Sequence, residues 1–231
     1  MSEQRKHTDR AYEQDLETLR QRLLMMAARV EGMIENSIRA LVERDSELAH
    51  RTILSDRVVN RMEIEIDEMC LLILAKRQPL ASDLRFIAYS MKMVTDLERI
   101  GDLAANVCER AIALNKEPMV KPLVGISRAA EIAEAMIGQA IDAFVKRDVE
   151  RAQAVLDRDN EMDAMYRDVF KEWLLLMEGD PAVVDRGIQV QSVAKYLERI
   201  ADHATNLAEQ VIFMVAGRDV RHHGKLTAPV E

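Results

Sequence analysis

The sequence predicts an all-α protein: two tandem three-helix bundles related by an internal repeat, six long antiparallel helices in all. Three observations predict it. The 231 residues include only 8 Gly and 5 Pro, so helix breakers are sparse, and 4% aromatic content disfavours an all-β sandwich. Apolar residues recur at spacings of three and four through most of the chain. Finally, the segment Leu97-Glu98-Arg99-Ile100-Gly101-Asp102 returns one hundred residues later as Leu197-Glu198-Arg199-Ile200-Ala201-Asp202.

The elements follow in order. A stripe of Leu16, Leu19, Leu23, Met26, Val30, Met33, Ile34, Ile38 and Leu41 predicts a first helix over 9–44, with Asp9 as its cap. Asp45 and Ser46 break the pattern, and Ser46 can cap a second helix over 47–77, striped by Val59, Met62, Ile66, Met69 and Ile73. Pro79 stops it, because proline lacks an N–H and disfavours helical geometry in the residue before it. A third helix over 81–114 follows on Leu84, Ile87, Met91, Val94, Leu97, Ile100, Ala104, Val107 and Ala111. The stretch 115–125 holds Pro118, Pro122 and Gly125 and reads as a linker. A fourth helix spans 126–146 and a fifth 149–178. Gly179-Asp180-Pro181 turns the chain into a sixth, over 182–216, ended by Gly217.

Three helices, a linker and three helices divide the chain into 1–117 and 118–231. Val42, Arg44 and Asp45 correspond to Val145, Arg147 and Asp148, and Pro79 to Pro181. Two copies with a period near 100 are too few and too long for a solenoid.

The formal net charge is −8, from 40 acidic and 32 basic residues. A chain this acidic lacks the basic face that non-specific nucleic-acid binding requires. Cys70 and Cys108 sit alone among apolar neighbours, without a CxxC, and read as buried small hydrophobes in a reducing compartment. Residues 1–10 are polar and do not read as a signal peptide. The longest apolar runs, 69–75 and 211–216, fall far short of the ~20 residues a membrane span needs. The expectation is a soluble, cytoplasmic protein that meets a membrane only through partners.

One pattern serves no obvious packing purpose. Glu98, Asp102 and Asn106 are four apart, so they stack along one side of their helix, turned away from its apolar stripe. Glu198, Asp202 and Asn206 repeat the arrangement. Over 96–107 and 196–207 seven of twelve residues are shared, although the copies have diverged elsewhere. Carboxylates at i and i+4 repel, and a nearby arginine or a metal ion would relieve them. On the preceding helices, Asp56 and Asn60 pair at the same spacing, matched by Asp159 and Asp163. If the rows face each other, each repeat offers four or five oxygen ligands, a set suited to iron, manganese or magnesium. His203 could add a nitrogen, but Leu103 stands in its place in the first copy, so it reads as a surface residue. The alternative for every row is a solvated surface.

Other constellations fall away. Glu47 and His50 form an ExxH whose counterparts are Glu150 and Gln153, so the matched pair of a di-iron bundle is missing. There is no P-loop, GxGxxG, GxSxG or HExxH. The fourteen methionines fall mostly on stripe positions, where filling irregular core gaps is their usual role. Arg221, His222 and His223 read as a solvated tail.

On these residues the chain resembles the PhoU family of bacterial phosphate-signalling and phosphate-transport accessory proteins. The two LER-containing segments carry the resemblance, with His7, the run Ala75-Lys76-Arg77-Gln78-Pro79, Ser82-Asp83-Leu84-Arg85, and the close Gly217-Arg218-Asp219-Val220-Arg221-His222. It implies two pseudo-symmetric three-helix bundles in a cytoplasmic, often dimeric protein without enzymatic activity. It also implies a negative regulator linking the phosphate ABC transporter, through its ATPase PstB, to the sensor histidine kinase PhoR. Some members bind iron or zinc clusters, or magnesium or manganese, at the ExxxD rows. Those rows correspond here to Glu98 and Asp102, and to Glu198 and Asp202. Asn60 stands where its repeat partner is Asp163, which implies weaker metal binding at the first site. A metal-dependent carboxylate-bundle enzyme and a generic helical scaffold are the competing readings.

Overall fold

A computed structural model describes residues 2–79 and 81–220, with side chains from residue 10 onward. The expected tail at 221–223 and the last two residues of the family-like close lie outside the described residues, as does the His7 side chain. Six long helices form: α1 Ser2–Val42, α2 Ser46–Arg77, α3 Ala81–Leu114, α4 Val124–Lys146, α5 Val149–Gly179 and α6 Val184–Ala216. There is no strand among the described residues.

The helix ends differ from expectation in instructive ways. α1 starts at Ser2, so Asp9 lies inside it and caps nothing at 9. Ser46 opens α2 but does not cap it. The Asp45 carboxylate accepts from Leu48 N at 2.9 Å, and Asp148 does the same for Arg151 N at 3.0 Å. Ser46 Oγ instead accepts from Asn115 Nδ2 at 3.1 Å, tying the start of α2 to the linker. Before α6, Asp180 accepts from Ala182 N and Pro181–Val183 form one short 3-10 turn, so the helix proper starts two residues later than expected. Gly217 closes α6 at φ +67°, the left-handed geometry that glycine adopts without strain.

Within each repeat the three helices pack antiparallel, and the repeats join where α3 meets α6 and α1 meets α4. The core crosses this junction without a gap. Leu97, Ile100, Ala104 and Val107 of α3 and Leu197, Ile200, Ala204 and Leu207 of α6 belong to one apolar cluster with Leu23, Met26, Val30, Met136 and Ile137. Aromatic contacts also span it: Phe86 stacks on Phe144 at 6.1 Å, and Tyr89 lies 4.7 Å from Phe213. Both cysteines are free and fully buried, as their neighbours predict.

The linker is fastened to the helices. Arg44 Nη2 donates to the carbonyls of Leu114, Asn115 and Glu117. Arg186 donates to the Pro118 carbonyl at 3.2 Å and lies 3.3 Å from the Glu117 carboxylate.

Candidate functional site

In the first repeat α2 lies along α3, and their polar rows meet at the edge of the packed face. Asp56 and Asn60, four apart on α2, share a hydrogen bond from Asn60 Nδ2 to Asp56 Oδ2 of 3.0 Å. Across the groove, Glu98 and Asp102 extend from α3. Glu98 has only 17% of its side chain exposed and Glu198 only 14%, so these two glutamates are not solvated surface residues, whereas Asp202 of the second row is exposed. A Cβ at Gly101 would sit at ordinary contact distance, 3.4 Å from Val59 and 3.6 Å from Asp56 Oδ1, so the alanine of the second copy, Ala201, would fit here as well.

The electrostatics record the crowding. Burial raises the Asp56 carboxyl above its ordinary value, and the negative charge of Asp102 adds to it. Burial raises Glu98 too, followed by Asp102 and Glu63. Glu63 and Asp67 escaped the sequence reading, and both are also raised chiefly by burial. Their signal was the 4-3-4 spacing Asp56, Asn60, Glu63, Asp67 along α2. Repetition does not mark them, because their counterparts are Tyr166 and Phe170.

The second repeat assembles Asp159 and Asp163 from α5 with Glu198 and Asp202 from α6. Asp159 is raised by burial, then by Asp163 and Glu198. Asp202 stands at the exposed rim, yet the groove desolvates its carboxyl, and Glu198 and Asp159 push it further up. Here a cation is present: Lys195 Nζ lies 2.6 Å from Glu198 Oε2 and 5.3 Å from the centre of the Tyr166 ring. The hydrogen bond to Glu198 raises the Lys195 ammonium above its ordinary value.

One of the two asparagines parts company with its row. Asn106 is half-buried on α3. Asn206 is directed by its hydrogen bond toward the other repeat, where Nδ2 donates to Asp96 Oδ1 at 3.2 Å. His203 proves to be an inward residue and not a surface one. Only 18% of its side chain is exposed, and Nδ1 lies 2.8 Å from Asp96 Oδ1. Gln210 Nε2 completes the set at 2.5 Å from Asp96 Oδ2. One α3 carboxylate thus holds two turns of α6 across the junction. Glu47 and His50, the lone ExxH, are both exposed.

Asp56 Oδ1, Asn60 Oδ1 and Asp67 Oδ1 are buried without a hydrogen-bond partner among the described residues. Sealed, unpartnered oxygens amid carboxylates raised chiefly by burial, and further by their neighbours' charge, are the donor chemistry of a hard cation. Among the described residues no three His, Cys, Asp or Glu side chains stand arranged to hold a metal ion, so binding would require the carboxylates to swing together.

Fold and site together define a duplicated six-helix protein that carries a carboxylate seam in each copy. The PhoU domain family matches it twice, over residues 23–111 and 126–211. The chain is 40% identical over 228 residues to the "phosphate-specific transport system accessory protein PhoU homolog" of Pseudomonas putida, covering 97% of this chain and 89% of that protein. It is 33% identical over 219 residues to the phosphate-specific transport system accessory protein PhoU of Escherichia coli K12, covering 95% and 91%. The crystal structure of PhoU from Pseudomonas aeruginosa superposes with a TM-score of 0.87 at 39% identity, covering 90% of this chain and all of that one. The phosphate transport system regulatory protein PhoU from Streptococcus pneumoniae superposes at 0.83, with 26% identity, covering 90% and 99%. The chain belongs to the PhoU family.

Proposed function

We propose that this protein is a negative regulator of phosphate uptake and phosphate-starvation signalling. It acts by contact, as a non-enzymatic cytoplasmic adaptor between the ATPase of a phosphate ABC transporter and a sensor histidine kinase. The observation that carries the reading is the family match to both repeats, supported by relatives named for the phosphate-specific transport system over nearly their full length. No described helix is long and apolar enough to cross a membrane. Exposed Leu71 and Leu72 on α2 and their repeat equivalents Leu174 and Leu175 on α5 offer surfaces for association, a homodimer included.

The reading includes a cation in each seam. Asp56, Asn60, Glu98 and Asp102 would hold one, flanked by Asn106; Asp159, Asp163, Glu198 and Asp202 would hold the other, with Asn206 turned away to Asp96. Iron, manganese, magnesium and zinc are the candidates, with oxygen donors favouring the harder ions. A bound cation would offset the carboxylate repulsion and tie α2 to α3 and α5 to α6.

Deletion of the gene should raise phosphatase expression in phosphate-replete medium, and a tagged chain should retain the transporter ATPase in a pull-down. Expression that stays repressed would overturn the regulatory reading.

A further inference from the structure

The two seams are not chemically alike. Position 95 is Thr in the first copy and its equivalent, 195, is Lys in the second. Glu63 and Asp67 face Tyr166 and Phe170 as their counterparts. The first seam therefore gathers Asp56, Glu63, Asp67, Glu98 and Asp102. Its nearest cation, Arg99, is 59% exposed and 3.7 Å from Glu98. Arg199 occupies the same position in the second copy, so the arginine does not distinguish them.

The second seam holds fewer carboxylates and a cation of its own. The Lys195 ammonium reaches Glu198 at 2.6 Å, and the Tyr166 ring that replaces a carboxylate lies beneath it. The substitutions are mutually consistent. An ammonium over a ring gains from the ring's negative face, whereas one carboxylate fewer lowers the charge to be neutralised. A divalent ion entering this seam must displace the ammonium from Glu198. In the first seam three buried oxygens, on Asp56, Asn60 and Asp67, have no hydrogen-bond partner to give up, whereas in the second only Glu198 Oε2 is so placed among the described residues, and Lys195 Nζ lies 2.6 Å from it.

We propose that Lys195 is a built-in counter-cation of the second seam, so that this chain takes up a divalent ion at the first seam in preference to the second. The inference rests on the reading that the seams hold cations. It reverses the order implied by Asn60 against Asp163, because one amide in place of one carboxylate weighs less than two further acids and an absent lysine.

The test is Mn²⁺ titration of the full-length, chelator-stripped protein, with bound metal counted by loss of the free-ion paramagnetic signal. The unaltered chain should take up one tight equivalent. Lys195→Thr should take up two, and Thr95→Lys should lose the first. Lys195→Met, which keeps the unbranched stem, guards against a folding artefact and should behave as Lys195→Thr. In chelator, both Lys195 variants should melt below the unaltered chain, and Mn²⁺ should restore them. Two equal equivalents in the unaltered chain, unchanged on replacing Lys195, would overturn the inference and leave the cation reading standing. No uptake by any variant would overturn both. An unshifted melt in chelator would remove the counter-cation role.

Discussion

Asp56, Glu63, Asp67, Glu98, Asp159 and Asp202 all hold their protons more tightly in the fold than in a free peptide, chiefly because burial penalises their charge. Unfolded, they titrate near 3.8 for Asp and 4.5 for Glu. Above those values and up to the raised ones, the folded chain binds protons that the unfolded chain has released. Stability therefore rises as the pH falls into that window and is lowest once the carboxyls are all ionised. In chelator, the urea midpoint should be higher at pH 5 than at pH 7, and the Asp56→Asn, Glu98→Gln double variant should flatten the difference. Equal midpoints for the unaltered chain at the two pH values would show that the seams are not under electrostatic strain. At this scale the sequence disclosed the acids that recur and concealed those that do not. Glu98 and Glu198 announced each other. Glu63 and Asp67 had only a spacing on one helix, which resembles any solvated face until the neighbouring helix is in place.

Helices were easier to read than their ends. With so few breakers, the apolar stripes determine where each helix must run, and Pro79 and Pro181 end possibilities outright. The caps depended on which of two adjacent polar residues turns inward, so Asp45 was mistaken for part of a break and Ser46 for the cap. The same corner contains a matched pair at the helix boundary: Arg44 and Arg147 both adopt positive φ, 59° and 52°. An L-residue there costs roughly 1–2 kcal/mol. Arg147 is exposed, so Arg147→Gly should raise unfolding stability by about 0.5–1 kcal/mol. Arg44→Gly gains the same relief but loses the bonds to three linker carbonyls. It should come out about 1–2 kcal/mol less stable, as read by chemical denaturation. If both variants were stabilised, the linker would not be held by Arg44.

As a whole, the molecule has one core, although the sequence divides between 117 and 118. Calorimetry should give one transition with equal calorimetric and van't Hoff enthalpies. Asp96→Ala removes the shared partner of the part-buried polar groups of His203, Asn206 and Gln210, at a cost of about 1–3 kcal/mol. Two separate transitions in the unaltered chain would show that the α3–α6 junction does not couple the bundles. Internal repetition discloses only part of this junction. The apolar residues and Asn206 recur in both copies, but Asp96 aligns with Tyr196, His203 with Leu103 and Gln210 with Arg110, so most of the polar clasp is made of residues the halves do not share.

That asymmetry shapes how the halves mate. Two first repeats brought together as α3 meets α6 would set Asp96 against Leu103, Asn106 and Arg110, and two second repeats would set Tyr196 against His203, Asn206 and Gln210. Only the unlike pairing sets the Asp96 carboxylate against a histidine, an asparagine and a glutamine. Divergence at a few junction positions has thus turned a duplicated unit into complementary parts.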